Sequence, residues 1–527
     1  MMAGPMAGSE GGVMKQAHFD GRILVLGFGG VARCTLPLLL KHLDVPRDRV
    51  TVLDMADISD AEANRENAGV RFVRARITRR NLATELSKHV SAGDLLVDLA
   101  WNISCVELLE FCRERGVLYV NTSVELWDPY AGAESVPPVE RTLYVRQMEI
   151  RDLISRWGDN GGPTAVLDHG ANPGLVSHFT KLGLRDLAMA LVEREVETGR
   201  RSELERALAD NAWNRLAALA GVKVIHISEL DTQFARTARR GGEFLNTWSV
   251  EGFYEESIAP AEMGWGTHER SLPFDGHVHT TGPRNQICLS RFGMNTFVRS
   301  RVPSGEITGM VIRHGEAFSI SEFLTLPGDD GSVAYRPTVH YAYCPCEAAL
   351  ESIAELRENG YPPPSDWRIL RDEIAGGKDE LGVLLMGHDL KSWWTGTVLG
   401  IDEARKLVPG QNATTLQVAA SVVGAVLWML RNPRQGVRLP DELPWTEILD
   451  FARPYLGRVV SKAIDWMPTA RGTDRRRVPA SDSSNWQFEA FAVGHPPQPR
   501  CGRDAGLPIF PQDAIPEDGT TVLVDAR

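Results

Sequence analysis

The stretch Arg22–Leu43, RILVLGFGGVARCTLPLLLKHL, decides the fold. Ile23 to Leu26 form an unbroken apolar run, the pattern of a strand buried on both faces. Gly27-x-Gly29-x-x-Ala32 follows at once, and apolar residues then recur at helical spacing through Leu43. In such a strand–turn–helix the first glycine permits the tight turn. The second lets a pyrophosphate approach the backbone, and the small Ala32 lets helix and strand pack closely. The helix start at Gly30 and Val31 offers unpaired N–H groups to phosphate. Asp54, an acid after the second strand, suits a ribose diol and repels a 2′-phosphate, so NAD is the expected cofactor. Arg76, Arg79 and Arg80 downstream keep NADP open. The predicted cofactor set is Gly27, Gly29, Gly30, Val31, Ala32, Asp54 and Asp98.

Outward from this turn, VTVLDM, VRFVRA, DLLVDLAW, VLYVNTS and TAVLDHG read as further strands separated by helical patterns. That alternation predicts an α/β fold with a parallel, doubly wound sheet. The chain has 527 residues, more than one core accommodates, so several units are expected. They are a flexible tail over 1–20, a Rossmann NAD-binding domain over 21–165, and a second α/β catalytic and dimerisation domain over 166–400. A helical segment over 401–470 and an irregular extension over 471–527 complete the chain. The helix from Thr415 to Leu430 is apolar nearly all round, which implies burial between domains or subunits.

The net charge of −12 argues against a nucleic-acid partner. Seven cysteines in so long a chain make no disulfide framework. Cys344 and Cys346 have no companion pair at zinc spacing, so they read as buried thiols and no metal is expected. The N-terminus lacks a basic start and an apolar run, and Leu416–Leu430 is too short to span a bilayer. A cytoplasmic protein with no membrane partner is the expectation.

The stretch Phe244–Ser257, FLNTWSVEGFYEES, sets Trp248 just upstream of Glu251, Glu255 and Glu256. Other polar loops carry Asp98 and Asn102, Glu125, Asn172, Glu229, Glu262 and His268, then His314 and Glu316. Arg and Lys are scarce within them, whereas an anionic substrate would call for bidentate arginines. An indole face holds a cation well. The set therefore suits an ammonium substrate. Glu229 and His314 are the expected proton-handling pair, with Trp248 holding the developing cation. Glu125, Asn172, Glu256, Glu316 and Asn102 are the expected substrate contacts.

These residues carry a family likeness. The chain resembles the bacterial homospermidine synthases, in the saccharopine-dehydrogenase-like group, from about Arg22 to about Trp466. GFGGVARCTLPLL, GGPTAVLDHGANPGLVSHF, GVKVIHISELDTQ, FLNTWSVEGF, PAEMGWGTHER, YRPTVHYAYCPC, SDWRIL, DELGVLLMGH and QNATTLQVAAS carry the resemblance. It implies a Rossmann domain plus a second α/β domain in a homodimer. The implied activity is transfer of an aminobutyl group from putrescine or spermidine to putrescine, with NAD recycled. It places the family's substrate tryptophan at Trp248, and its polar contacts at Glu125, Asn172, Glu229, Glu256, His314 and Glu316. Two departures stand out: Trp101-Asn102 where an aspartate is expected, and Asp168-His169 before the ANPG turn. Two other readings stay open. One is an NAD(P)H-dependent imine reductase with a carboxylate clamp from Arg284, Arg291 and Arg299; the other is a non-catalytic NAD or polyamine sensor.

Overall fold

A computed structural model of the protein describes residues 17–58, 67–130, 135–195, 198–468 and 483–496. The first sheet is built from β1 (Ile23–Leu26), β2 (Val50–Asp54), β3 (Arg71–Arg74), β4 (Leu95–Asp98), β5 (Leu118–Asn121) and β6 (Ala165–Val166). Its spatial order is β3-β2-β1-β4-β5-β6, closed by Val437–Arg438, and all seven strands are parallel. The order reverses between β1 and β4, which opens a crevice at their carboxyl ends, the place where such sheets take a dinucleotide. Helix α1 (Gly30–His42) leaves β1 through the glycine turn.

The second sheet has eleven strands. At its centre β7 (Val224–Asp231) pairs in parallel with β8 (Thr338–Cys344) and antiparallel with β9 (Lys378–His388). Further out lie β10 (Lys391–Gly400) and β11 (Arg458–Ile464). Strand alternation puts Ile227, Glu229 and Asp231 on one face of β7. Register pairs Glu229 with Tyr343 and Asp231 with Asp379, so both neighbours face the same way. Acids and tyrosines thus line one face of a central, buried strand.

Four more helices matter to the site: α2 (Leu175–Arg194), α3 (Val250–Ser257), α4 (Glu316–Phe323) and α5 (Ala413–Arg431). Helix α5 is long and apolar enough to cross a membrane, but 83% of its most apolar window is buried inside the protein. It packs against α1 and the helix Trp445–Ala452, so its apolar circumference serves the joint between the two sheets. One apolar cluster runs through both, joining Val25 and Val52 of the first sheet to Ile227 and Leu381 of the second.

The C-terminal part differs from the expected helical segment and irregular extension. Within 401–470, β11 extends the second sheet and Val437–Arg438 returns to the first. Residues 483–496 pack too. Trp486, Phe488 and Phe491 are buried with Trp394 and Val298, and Val493 pairs with Phe297. Three aromatic side chains in a short polar stretch bury enough apolar surface to order it. The remainder of the expected extension, and most of the expected N-terminal tail, lie outside the described residues.

Candidate active site

The glycine turn is shaped for close approach. Gly27 has φ +83°, and a Cβ there would sit 2.8 Å from the Leu99 carbonyl oxygen. Gly29 faces open space, with no heavy atom within 4 Å of where its Cβ would project. It caps α1 without any side-chain hydrogen bond, so the N–H groups of Gly30 and Val31 are left for a ligand, while Arg33 N–H begins the helix ladder on the Gly29 carbonyl. Ala32 is buried against the sheet. The Asp54 carboxylate accepts from the backbone N–H of Phe28 at 2.6 Å and of Ala56 at 2.7 Å, which fixes it beside the turn. These residues fit a dinucleotide: a cradle without side chains, a free helix start and an acid after the second strand.

Asp98 does not belong to that set. It is 3% exposed and accepts a 2.7 Å hydrogen bond from Tyr119, whose own hydroxyl accepts from Asn121. Burial pushes its carboxyl up to about 7. The side chain points into the sheet at the end of β4, so its role is internal.

Glu229 is 2% exposed and accepts hydrogen bonds from the Tyr341 hydroxyl and, at 3.1 Å, from Asn172 Nδ2. Burial raises its carboxyl to about 8, with the neighbouring Asp231 charge adding to the rise. Asn172 is presented by a tight GANPG turn. Gly170 N–H donates to the Pro173 carbonyl at 2.7 Å, and Gly174, at φ +127°, has no room for a Cβ against the Gly170 carbonyl. The Asn172–Pro173 peptide is cis.

Trp248 is half-buried and its indole N–H donates to the Tyr343 hydroxyl at 3.1 Å. Tyr343 stacks on Tyr341 at 5.0 Å between ring centres, and Tyr341 meets the His314 ring at 4.4 Å. An aromatic path therefore runs from Trp248 to Glu229 and His314.

Two carboxylates flank His314. Its Nε2 lies 3.1 Å from Glu256 and its Nδ1 3.5 Å from Glu316. Burial works against a charge on the ring, but Glu256 and Glu316 outweigh it and raise the imidazole well above its ordinary pKa. The two carboxylates thus favour the charged ring, which suits it to donate a proton rather than accept one. Both Glu316 oxygens are buried without a hydrogen-bond donor. Asp168, whose burial pushes it up to about 7, accepts from Gln147 at 2.9 Å and lies against Gly315, between His314 and Glu316.

Glu256 owes its position to α3. Ser249 caps the helix by accepting from Gly252 N–H at 3.0 Å. The adjacent Glu255 accepts from Arg146 and Arg313 and, at 3.0 Å, from the Trp101 indole. Burial alone would raise Glu255, but the two guanidinium groups hold it below the usual carboxylate range. Glu125 accepts from Ser123 at 2.7 Å through Oε1, while its buried Oε2 has no donor. Burial, then the Glu255 charge, raise it to about 8.

The structure thus brings Glu229, Asn172, Trp248, His314, Glu256 and Glu316 into one network, with Glu125 joined to it through the Arg146–Glu255 pair. Asn102 stands apart. At φ +66° its amide oxygen accepts from Asp128 N–H, so it tethers one loop to another, and Trp101 is the residue that reaches the acids. The sequence reading missed Tyr341, Tyr343, Arg146 and Arg313 as site residues and gave Asp168 only as a departure. Arginine, scarce in the loops, does enter the site, where it neutralises Glu255. Of the arginines proposed as a carboxylate clamp, Arg291 is engaged with Thr296 and Asp275 and Arg299 with the Ala490 carbonyl, while Arg284 meets Tyr144 and Arg336 through its backbone.

Comparison with known proteins places the chain in a family. Residues 23–166 match the saccharopine dehydrogenase NADP binding domain, and residues 170–464 the saccharopine dehydrogenase C-terminal domain. The homospermidine synthase of Blastochloris viridis is 40% identical over 481 residues, covering 90% of this chain and 98% of that protein. That of Mesorhizobium japonicum is 39% identical over 482 residues, covering 90% and 97%. The crystal structure of the Legionella pneumophila homospermidine synthase in complex with NAD superposes with a TM-score of 0.78 at 36% identity, covering 91% of this chain and 99% of that one. The chain belongs to the saccharopine dehydrogenase family, in the branch formed by the homospermidine synthases.

Proposed function

We propose that the chain is an NAD-dependent homospermidine synthase. One putrescine is oxidised to an imine by loss of a hydride and a proton, a second putrescine adds to that imine and displaces ammonia, and the new imine is reduced by the stored hydride to homospermidine. Spermidine serves as an alternative donor, releasing 1,3-diaminopropane. There is no net redox change. The observation that carries this reading is Glu229: a buried carboxylate near neutrality, held by Asn172 and Tyr341, on a face shared with the Trp248–Tyr343 pair and with His314. The names of the relatives support it.

NAD, when bound, accepts hydride from the amine carbon and returns it to the imine. Gly27, Gly29, Gly30, Val31, Ala32 and Asp54 would hold it, and Asp54 favours NAD over NADP. The protein's own residues handle protons and charge. An amine like that of lysine has a pKa near ~10.4, so deprotonating it at pH 7 costs about 4.6 kcal/mol. Glu229 takes that proton. The arriving ammonium lowers the carboxylate's pKa from about 8, so the base ionises as the cation binds. Trp248 and Glu256 stabilise the positive charge that builds on the iminium, which lowers the barrier beyond tightening binding. His314 returns a proton to the leaving amine. Glu125, with its donorless oxygen, anchors the distal ammonium.

Incubation with putrescine and catalytic NAD tests this. A synthase releases ammonia and yields homospermidine by mass spectrometry; an imine reductase or a sensor yields neither. The family resemblance supports a homodimer, which sedimentation velocity checks, and cell fractionation checks the expected cytoplasmic location.

A further inference from the structure

We propose that Asp231 and Asp379 are positioning residues for the chemistry at Glu229: together they carry one proton, and the charge left on the pair sets how readily Glu229 accepts a proton from an amine. This rests on the reading of Glu229 given above.

Glu229, Asp231 and Asp379 share one face of the central sheet, Asp231 two positions along from Glu229 and Asp379 its register partner on β9. All three are sealed, at 2%, 0% and 0% exposure. Their hydrogen-bond donors are neutral. Asp231 accepts from Gln233 N–H at 2.8 Å and from the Thr247 hydroxyl at 2.7 Å. Asp379 accepts from the Thr414 hydroxyl at 2.7 Å through one oxygen, and its other oxygen has no donor. A buried carboxylate oxygen without a donor is unfavourable unless a proton occupies the site. Three like charges on one dry face cannot all persist, so at least one of the acids stays protonated.

The ionisable groups facing Glu229 are Tyr341, Tyr343 and Asp231 from the central strands, Asp379 from β9, and His314 from the loop before α4. Cys344 and Cys346 feel Asp231 from the end of β8. Glu380 points away, toward Lys378 and Ser304. Of these groups His314 supplies the opposing charge, and Glu256 and Glu316 already flank it. The pair also adjoins the cofactor turn. Thr414 binds Asp379, and the next residue, Thr415, lies 3.6 Å from where a Cβ on Gly30 would be. The start of α5 thus touches both the pair and the glycine turn.

The test is the pH profile of kcat/KM for ammonia release from putrescine with NAD. It compares wild type, Glu229→Gln, Asp231→Asn and Thr247→Val. Asp231→Asn removes the negative charge left on the pair, so the limb that rises with pH moves down by about one pH unit, with NAD affinity unchanged. Thr247→Val removes the hydroxyl that stabilises the Asp231 anion and moves the limb the same way by a smaller amount. It decides the matter if Asp231→Asn does not fold. A loss of rate equal at every pH, with the limb unmoved, marks a merely structural role and overturns the proposal. If Glu229→Gln keeps both turnover and limb, the reading of Glu229 fails instead. If Glu229→Gln abolishes turnover while the other two variants leave the limb in place, only the present proposal fails.

Discussion

His314 and Glu256 form a partly buried ion pair, with the imidazole Nε2 3.1 Å from the carboxylate. Their sequence neighbours Arg313 and Glu255 pair beside them, so two adjacent residues of one loop meet two adjacent residues of α3. Glu256→Gln leaves Glu316 facing the imidazole alone from this pair of acids. The His314 titration, followed by NMR, is expected to move down by about one unit or more. kcat is expected to fall at least about tenfold, since the carboxylate that stabilises the iminium is lost. An unmoved His314 titration would show that Glu256 does not hold the charge.

Trp248 presents its ring to the site and its indole N–H to Tyr343. Cation–π attraction in a desolvated site is worth ~2 kcal/mol or more, about thirtyfold in rate if expressed fully in the transition state. Trp248→Ala is expected to lose at least that much kcat with the melting temperature little changed, and Trp248→Phe to retain part of it. Equal kcat in wild type and the alanine variant removes the indole from the chemistry.

Glu229 links turnover to stability. Its carboxyl lies at about 8 in the folded protein, against about 4.3 in an unfolded chain. Below the unfolded value both states are protonated and the group has no effect. Between the two values the unfolded chain sheds a proton that the folded one keeps, so stability falls as pH rises; above about 8 the loss is complete. Glu229→Gln abolishes this slope. Without ligand, its melting temperature is expected to match wild type at pH 5 and to exceed it by a few degrees at pH 8. Turnover is expected to fall while NAD binding by calorimetry is retained.

The two glycines of the turn separate folding from binding. Gly27→Ala places a Cβ 2.8 Å from the Leu99 carbonyl at a positive φ, and is expected to lower the melting temperature markedly. Gly29→Ala projects a methyl into open space, so the fold is expected to survive while the Kd for NAD rises about tenfold or more. Unchanged NAD affinity in the second variant would place the pyrophosphate elsewhere.

What the sequence made legible follows from range. The β1–turn–α1 unit is local, so its residues carried their own reading, and the polar loops named Glu229, His314 and Trp248 by composition. Tyr341 and Tyr343 were visible as an alternation in HYAYC, as Glu229 and Asp231 were in SELD. Which strands sit side by side, and in what register, is not encoded locally, so the shared face did not emerge. Arg146 lies on the helix Leu143–Arg156 and meets Glu255 across the two domains; nothing near either residue announces the other. Asp98 turns to Tyr119, a partner set by the direction of a strand-end side chain that no local pattern encodes. Asn102 turns to Asp128, while its neighbour Trp101 has the reach to meet Glu255.

The return of Val437–Arg438 to the first sheet has a consequence for synthesis. Until that segment leaves the ribosome, β6 is an open edge with unpaired backbone groups, although everything else in its sheet was made long before. The nascent nucleotide-binding half must wait, exposed to chance pairing with other chains, for a closing strand encoded near the far end of the message. Early termination after β10 would strip that guard and leave a sticky, aggregation-prone fragment.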